Sequence, residues 1–258
     1  MHTPRSESHS EKISIITATY NCADRLPELM ASLRNQTDRD FEWVVCDGAS
    51  TDGTLELLQS VTGLNVVMSS QADFGIYDAL NRAIGAASGS YYIVVGADDQ
   101  LHSDAIARFR GAIEQERADM IVADVAYGRH LFRVKRAPSW LVGEKAFIAH
   151  HSVATAFRRD LHARFGLYSR KFPIAADSLF VLRACKAGAT RYRTDFVAGT
   201  IGGGGVSAVD SMGSATELFR VQLLNGCALI PQVLLLLLRI LKGSSSRVRA
   251  LHDTLFFR

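Results

Sequence analysis

Asp98 and Asp99 stand side by side at the end of an apolar run, Tyr91-Tyr92-Ile93-Val94-Val95, inside the segment Gly96-Ala97-Asp98-Asp99-Gln100. Adjacent carboxylates repel each other and resist desolvation, and a hard divalent cation carrying a phosphate-bearing substrate relieves both problems. A divalent cation held by Asp98 and Asp99 is the expected chemistry, with an Asp-rich turn before a helix at Ser103 as the plain alternative. Asp47 likewise follows an apolar run, Phe41 to Cys46. A carboxylate there can accept hydrogen bonds from a nucleobase N–H or from ribose hydroxyls, or it can serve the turn that Gly48, Ser50 and Thr51 would make around it.

The elements that must position these groups alternate through the first half of the chain. Ile13 to Thr17, Phe41 to Cys46, Asn65 to Met68 and the run at Tyr91 read as strands, short and rich in β-branched and aromatic residues. Between them, Asp24 to Asn35 carries Leu26, Leu29, Met30 and Leu33 at helical spacing. Thr54 to Val61 and Gly75 to Ala87 read as further helices, with Asp52 as an N-terminal residue complementing the dipole of the first of them. This β-α-β-α-β-α-β order predicts a mainly parallel sheet with helices on both faces, a Rossmann-like α/β architecture whose sites lie at the strand ends. Ser103 to Arg117 continues as a helix and Met120 to Ala123 as a strand. Past about residue 125 the pattern loosens into a hairpin between Tyr127 and Trp140 and helices at Arg159 to Phe165 and Asp177 to Ala187. A nucleotide-binding half, about 12–125, followed by an acceptor half, about 126–210, is the expected organisation, with residues 1–11 a polar lead-in and 211–258 a tail.

A chain of 258 residues, 48% hydrophobic and 21% charged, can bury a substantial core. Its net charge of +3 suits an anionic nucleotide or a membrane surface and falls short of a nucleic-acid-binding signature. Cys22, Cys46, Cys185 and Cys227 have no paired spacing, which argues against a zinc knuckle or a disulfide framework and for a reducing cytoplasm.

Six segments occur in an order that resembles the family 2 glycosyltransferases, which have the GT-A fold. They are Thr17-Ala18-Thr19-Tyr20-Asn21, Asp47-Gly48-Ala49-Ser50-Thr51-Asp52-Gly53-Thr54, Asp73-Phe74-Gly75-Ile76-Tyr77-Asp78-Ala79-Leu80-Asn81, Gly96-Ala97-Asp98-Asp99, Ile148-Ala149-His150-His151 and Ala176-Asp177. The match covers roughly residues 12–206, and the third segment is similar to bacterial polysaccharide and glycolipid glycosyltransferases. The resemblance implies a nucleotide diphosphate sugar donor contacted by Thr17, Ala18, Asp47, Asp78, Asn81 and Asp98, and Mn²⁺ or Mg²⁺ on Asp98 and Asp99 to neutralise the departing diphosphate. It places His150 in the donor or acceptor pocket and makes His151 its variable neighbour, the two pointing to opposite faces of a strand. Asp177 takes the position of the catalytic base, which implies inversion at the anomeric carbon; N-capping of the helix that follows is a compatible role. Many relatives carry an aspartate where this chain has Gly48, and often another where it has Gly96. A sugar-phosphate nucleotidyltransferase, or a non-catalytic partner that binds nucleotide sugar or membrane, is the alternative; the former wants a Gly-rich basic loop after the first strand, which Thr17 to Cys22 does not offer.

Gly202 to Gly205 reads as a flexible lid over the donor. Arg129, Arg133, Lys135 and Arg136 of the hairpin either meet an acceptor lipid phosphate or form a solvated face. Cys227 to Leu238 is nearly all apolar, and Arg239 to Arg258 adds five basic residues against one acid. The apolar stretch is shorter than the roughly 20 residues of a bilayer span, so an amphipathic helix at the inner membrane surface is expected, with packing on the domain or a homodimer contact as alternatives. The acceptor expected from this setting is a lipid-linked or polysaccharide glycan.

Overall fold

The computed structural model describes residues 11–203 and 210–241. The lead-in, the second half of the tetraglycine and the basic run after residue 241 lie outside the described residues.

The first half follows the alternation of the sequence. Strands β1 (Ile13–Thr19), β2 (Phe41–Asp47), β3 (Val66–Ser70) and β4 (Tyr91–Val94) alternate with helices α1 (Leu26–Arg34), α2 (Thr54–Gln59) and α3 (Ile76–Ala86). β1 pairs in parallel with β2 and β4, and β2 with β3, which brings the C-terminal ends of all four strands to one edge. Burial on both faces explains the apolar character of β1, β2 and β4, whose Ile13, Ile15, Trp43, Val45, Tyr92 and Ile93 are all fully buried, while β3 lies half-exposed at the sheet edge. α1 buries Leu26, Leu29, Met30 and Leu33, the stripe its spacing predicts.

Beyond β4 come β5 (Gln100–Leu101), α4 (Ala105–Glu116), β6 (Met120–Tyr127), β7 (His130–Phe132), α5 (Ser139–Val142), a 3₁₀ turn (Gly143–Ala146), β8 (Thr155–Arg158), α6 (Leu161–Phe165), α7 (Ala176–Lys186) and β9 (Arg191–Thr200). The sheet order is β3-β2-β1-β4-β8-β6-β9-β5, with β7 paired to β6 as the expected hairpin. The parallel character stops at β4. β8 enters antiparallel between β4 and β6, and β5 runs antiparallel to β9, so the second half is mixed. The α4 crossover sets β6 down two places from β4, and β8 fills the slot from the opposite end.

The structure has three strands that the sequence pattern did not predict, the two-residue β5 and the longer β8 and β9. β9 alternates exposed Arg191, Arg193 and Asp195 with less exposed positions, so it lacks the apolar run that marks β1 to β4. The histidine pair is also placed differently: His150 and His151 lie in the loop that precedes β8 rather than on a strand.

A buried carboxylate pins the base of the sheet. Glu42 of β2 accepts hydrogen bonds from Ser14 Oγ at 2.5 Å, Ser88 N at 2.6 Å and Ser88 Oγ at 2.7 Å, and pairs with Lys12 at 3.2 Å. Burial raises its pKa, yet the Ser14 and Ser88 hydrogen bonds and Lys12 outweigh that and bring it from 4.5 down to about 2. A carboxylate depressed in the folded state stabilises fully above its unfolded pKa and loses that contribution as pH falls through the folded value. Thermal unfolding followed from neutral pH into acid is expected to show a stability loss beginning near pH 4.5, and Glu42→Gln to be less stable at neutral pH with a flatter acid limb. An unchanged acid limb in Glu42→Gln would contradict this assignment.

Candidate active site

The two adjacent aspartates divide their work. The chain turns tightly after β4, with Asp99 N donating to Gly96 O at 3.1 Å. Asp99 is 5% exposed and accepts from Gly96 N at 2.9 Å, Gly202 N at 2.9 Å and the Ser152 hydroxyl. Burial pushes its carboxyl pKa up, aided by the charge of Asp98, and the three donors work against that. Asp98 is half-buried and is the more exposed member of the pair. Asp99 is the one anchored by the surrounding loops.

Two glycines allow this packing. A Cβ on Gly202 would overlap the Asp98 carboxylate, and one on Gly96 would come within 2.9 Å of Asp99 Oδ2. Among the described residues no cluster of three or more His, Cys, Asp or Glu side chains could enclose a metal ion. A half-buried carboxylate beside an anchored one fits a cation of the Mg²⁺ type, which commonly takes one or two protein carboxylates and completes its shell with substrate phosphates and water.

Most of the residues expected to contact donor directly make hydrogen bonds to other parts of the protein. Asp47 is fully buried, and both its oxygens are filled: Oδ1 by Thr19 Oγ1 at 2.9 Å and Ser50 Oγ at 2.5 Å, Oδ2 by Ser50 N at 2.9 Å and Ser70 Oγ at 2.7 Å. Burial raises its pKa, but these donors prevail and hold it below the ordinary value. It organises the loop after β2, in keeping with the turn alternative. Thr17 is buried, and its hydroxyl receives the Trp43 indole N–H at 2.9 Å, so its side chain belongs to the core. Asn81 clasps the backbone of Tyr168 from both ends, at 2.9 Å each way. Asp78 is buried, receives Arg170, and sits 3.4 Å from Phe74 N. Asp52 caps the start of α2 through Thr54 N at 3.1 Å and Thr54 Oγ1 at 2.6 Å. Ala18 is half-buried at the end of β1.

A carboxylate does lie beside Gly48. A Cβ at Gly48 would be 2.9 Å from Asp73 Oδ2 and 3.3 Å from the Tyr20 ring. Asp73 is held by Gly75 N at 2.9 Å and by Arg82 at 3.3 Å, and Arg82 also donates to Asp47 O at 3.2 Å. The exposed rings of Tyr20 and Phe74 stand around this corner. Gly75, with φ +106°, lets the chain turn into α3 there.

Asp177 opens α7. Its Oδ1 accepts from the Tyr77 hydroxyl at 2.7 Å and from Ser178 N at 2.8 Å, while Oδ2 faces His151 Nδ1 at 4.0 Å. The chain leading into α7 is fixed by the buried Glu217, which accepts from Ile174 N at 3.0 Å and Ala175 N at 2.8 Å. Glu144 lies nearby, and burial together with the charge of Asp177 raises its pKa. Burial likewise holds the Tyr77 hydroxyl protonated, well above its ordinary pKa, with Asp177 adding to the effect.

The loop between the 3₁₀ turn and β8 joins the two carboxylate groups. Ser152 reaches Asp99, and its neighbour His151 reaches toward Asp177. Val153, fully buried with φ +67°, follows in a backbone conformation that β-branched residues rarely adopt. His150 is half-buried; its Nδ1 donates to Ser152 O at 3.2 Å and its ring lies 6.4 Å from Phe132. Of the two histidines, His151 is the buried one against Asp177 and His150 the half-buried one. Ser152, Glu144 and Glu217 carried no signal, since each is an ordinary residue until the fold closes, whereas Tyr77 lies in the third of the six segments without a role assigned to it there. Two surface clefts of about 760 and 790 Å³ contain neither the aspartate pair nor Asp177, so chemistry rather than volume locates this site. Gly202→Ala is expected to keep the fold and to lower turnover at least about tenfold by displacing Asp98. Steady-state kinetics checks this, and wild-type turnover in the variant would contradict it.

A family model described as Glycosyl transferase family 2 matches residues 14–172, more than half of the chain. A PGL/p-HBAD biosynthesis glycosyltransferase of Mycobacterium tuberculosis is 35% identical over 202 residues, covering 75% of this chain and 78% of that protein. A chondroitin synthase of Pasteurella multocida is 37% identical over 108 residues, 40% of this chain and 11% of the synthase. Among solved structures, a fragment of S. aureus TarS in complex with UDP superposes with a TM-score of 0.66 at 20% identity, covering 87% of this chain and 69% of that one. A mannosyltransferase from Pyrobaculum calidifontis in complex with GDP-Man and Mn²⁺ gives 0.64 at 18% identity, covering 95% and 80%. These structural likenesses speak for the GT-A fold, and the sequence matches speak for the family. The chain belongs to glycosyltransferase family 2 and is a GT-A glycosyltransferase of glycan biosynthesis.

Proposed function

We propose that the protein moves a sugar from a nucleotide diphosphate sugar to a hydroxyl of a lipid-linked or polysaccharide acceptor, with inversion at the anomeric carbon. The observation that carries this reading is that one short loop serves two carboxylate groups: its Ser152 holds Asp99 of the aspartate pair, and its His151 faces Asp177. The nucleotide sugars UDP-GlcNAc and GDP-Man in complexes of structural neighbours support a donor of this class. Nucleotide binding falls to residues about 12–125 and the acceptor side to about 126–210.

Asp98 would hold Mn²⁺ or Mg²⁺, with Asp99 fixing its direction, and the bound cation supplies charge neutralisation for the departing diphosphate. Asp177 does the proton chemistry. Its Oδ1 is occupied by Tyr77 and Ser178, which leaves Oδ2 to receive the proton of the acceptor hydroxyl as that oxygen bonds to the anomeric carbon. His150, at the rim beside Phe132, belongs to the wall of the donor or acceptor pocket.

The tail fits a membrane-surface role. α8 (Ser211–Leu224) and the helix at 229–241 are tied to the α5 segment through polar side chains: Gln222 to Ser139 O at 2.8 Å, Gln232 to Trp140 O at 2.7 Å and Arg239 to Leu141 O at 3.2 Å. Ile230, Leu234, Leu237, Leu238 and Leu241 are left exposed. No helix among the described residues is long and apolar enough to cross a membrane. An apolar face followed by Lys242, Arg247 and Arg249 suits the anionic inner face of a cell membrane.

Differential scanning fluorimetry with UDP-, GDP- and dTDP-sugars tests the donor reading, because ligand stabilisation reports affinity. One donor class is expected to raise the melting temperature, more so with Mn²⁺, and Asp98→Asn to lose the metal-dependent part. No shift with any donor would contradict the proposal. In co-sedimentation, vesicles containing anionic lipid are expected to bind the wild type and release Leu234→Glu/Leu238→Glu. Equal binding of both, or dimerisation in place of vesicle binding, would contradict the membrane role.

A further inference from the structure

Four buried side chains, His162, Tyr92, Tyr168 and His151, form a line of hydrogen bonds that runs from the interior to the position beside Asp177. His162 Nδ1 lies 3.1 Å from Gly166 O, His162 Nε2 2.7 Å from the Tyr92 hydroxyl, Tyr92 2.8 Å from the Tyr168 hydroxyl, and Tyr168 2.7 Å from His151 Nε2. The rings pack on one another, with His151 edge-on to Tyr168 at 5.4 Å and His162 stacked on Phe180 at 4.3 Å.

The direction of every proton in this line follows from its far end. A carbonyl oxygen only accepts, so His162 Nδ1 carries the proton and a neutral His162 accepts at Nε2. The Tyr92 proton then points to His162, so Tyr92 oxygen receives the Tyr168 proton. Tyr168 has spent its only proton and must accept from His151 Nε2. Burial keeps both imidazoles neutral, at about 4 for His151 and His162 alike, and keeps both phenols protonated. A neutral His151 protonated at Nε2 has a bare Nδ1, and that atom is the one 4.0 Å from Asp177 Oδ2.

We infer that the Tyr92–Tyr168–His162 line locks His151 in the Nε2–H tautomer, making it a positioning residue that accepts a hydrogen bond from Asp177 once Asp177 has taken the acceptor proton. This rests on Asp177 acting as the base. Before reaction, a carboxylate oxygen and a bare ring nitrogen face each other, two acceptors with no proton between them. In the transfer step the acceptor O–H bond breaks, its proton goes to Asp177 Oδ2, and its electron pair forms the new bond to the anomeric carbon. The old bond to the diphosphate breaks with its electrons leaving on the nucleoside diphosphate. The proton on Oδ2 then has Nδ1 to point at, once the two close from 4.0 Å to hydrogen-bond distance. An interaction absent in the ground state and present with the proton transferred lowers the barrier rather than merely tightening binding. The other titratable groups around this point are Glu144 and Tyr77 beside Asp177, and His150 and Tyr168 beside His151.

Imidazole ¹⁵N NMR on the wild-type protein at neutral pH reads the tautomer without an activity assay. His151 is expected to show a protonated Nε2 and a bare Nδ1; an Nδ1–H tautomer or an imidazolium would overturn the inference. Tyr168→Phe removes one oxygen and frees His151 to turn its proton toward Asp177, which favours the charged carboxylate. Its kcat is expected to fall roughly tenfold with donor KM unchanged, and the acid limb of its kcat–pH profile to move to lower pH. Tyr92→Phe should move in the same direction. Wild-type kcat and pH profile in Tyr168→Phe, with Asp177→Asn inactive, would overturn the His151 role alone. Full activity in Asp177→Asn would remove the base assignment beneath it.

Discussion

The hydrogen bond from Ser152 to Asp99 is the constraint on which the site is built. Asp99 is carried inside the protein as a carboxylate, and a buried charge without donors would cost several kcal/mol. The donors come from three distant parts of the chain: the turn after β4, the loop before β8, and the segment after β9. Satisfying Asp99 therefore fixes how these segments meet. The same short loop then sets His151 against Tyr168 and Asp177, so the two ends of the chemistry share one support. The left-handed Val153 shows what that costs. A backbone conformation worth about 1–3 kcal/mol of strain is held by complete burial and by its N–H to Val94 O at 2.7 Å.

The architecture separates a rigid reading frame from the groups that touch substrate. Parallel strands bring Asp47, the segment after β1 and the aspartate pair to one edge. A second layer of bonds then locks the loops there: Asp47 with Thr19, Ser50 and Ser70, Asn81 with Tyr168, and Glu217 with the entry to α7. The groups left more exposed at that edge are the rings of Tyr20 and Phe74 and the half-buried Asp98. Functional groups held by interlocked neighbours keep their geometry, which is what positioning a donor against an acceptor requires.

The sequence made the first half of the fold legible because its signals are local. Apolar runs of strand length, helical stripes and an Asp-Asp pair at a strand end can each be read within a dozen residues. Legibility ended where residue type was asked to name a partner. Thr17, Asp47 and Asn81 are all able to bind a nucleotide, yet each is taken by a residue from elsewhere: Trp43, Ser70 and Tyr168. β8 went unread because its place between β4 and β6 is a matter of topology, and β9 because charged residues interrupt its apolar pattern. The choice between His150 and His151 turned on a loop where the sequence suggested a strand. Tyr92 is indistinguishable in sequence from any core strand aromatic, and its partner His162 lies 70 positions further along the chain.

The central claim is that donor fixation and proton removal belong to different carboxylates, Asp98 and Asp177. Calorimetric donor affinity measured beside single-turnover transfer in Asp98→Asn and Asp177→Asn separates them most directly. Asp177→Asn should bind donor as the wild type does while transfer falls by about 10²–10⁴-fold, and Asp98→Asn should lose metal-dependent donor affinity. Transfer at the wild-type rate in Asp177→Asn, or unaltered metal-dependent binding in Asp98→Asn, would contradict it.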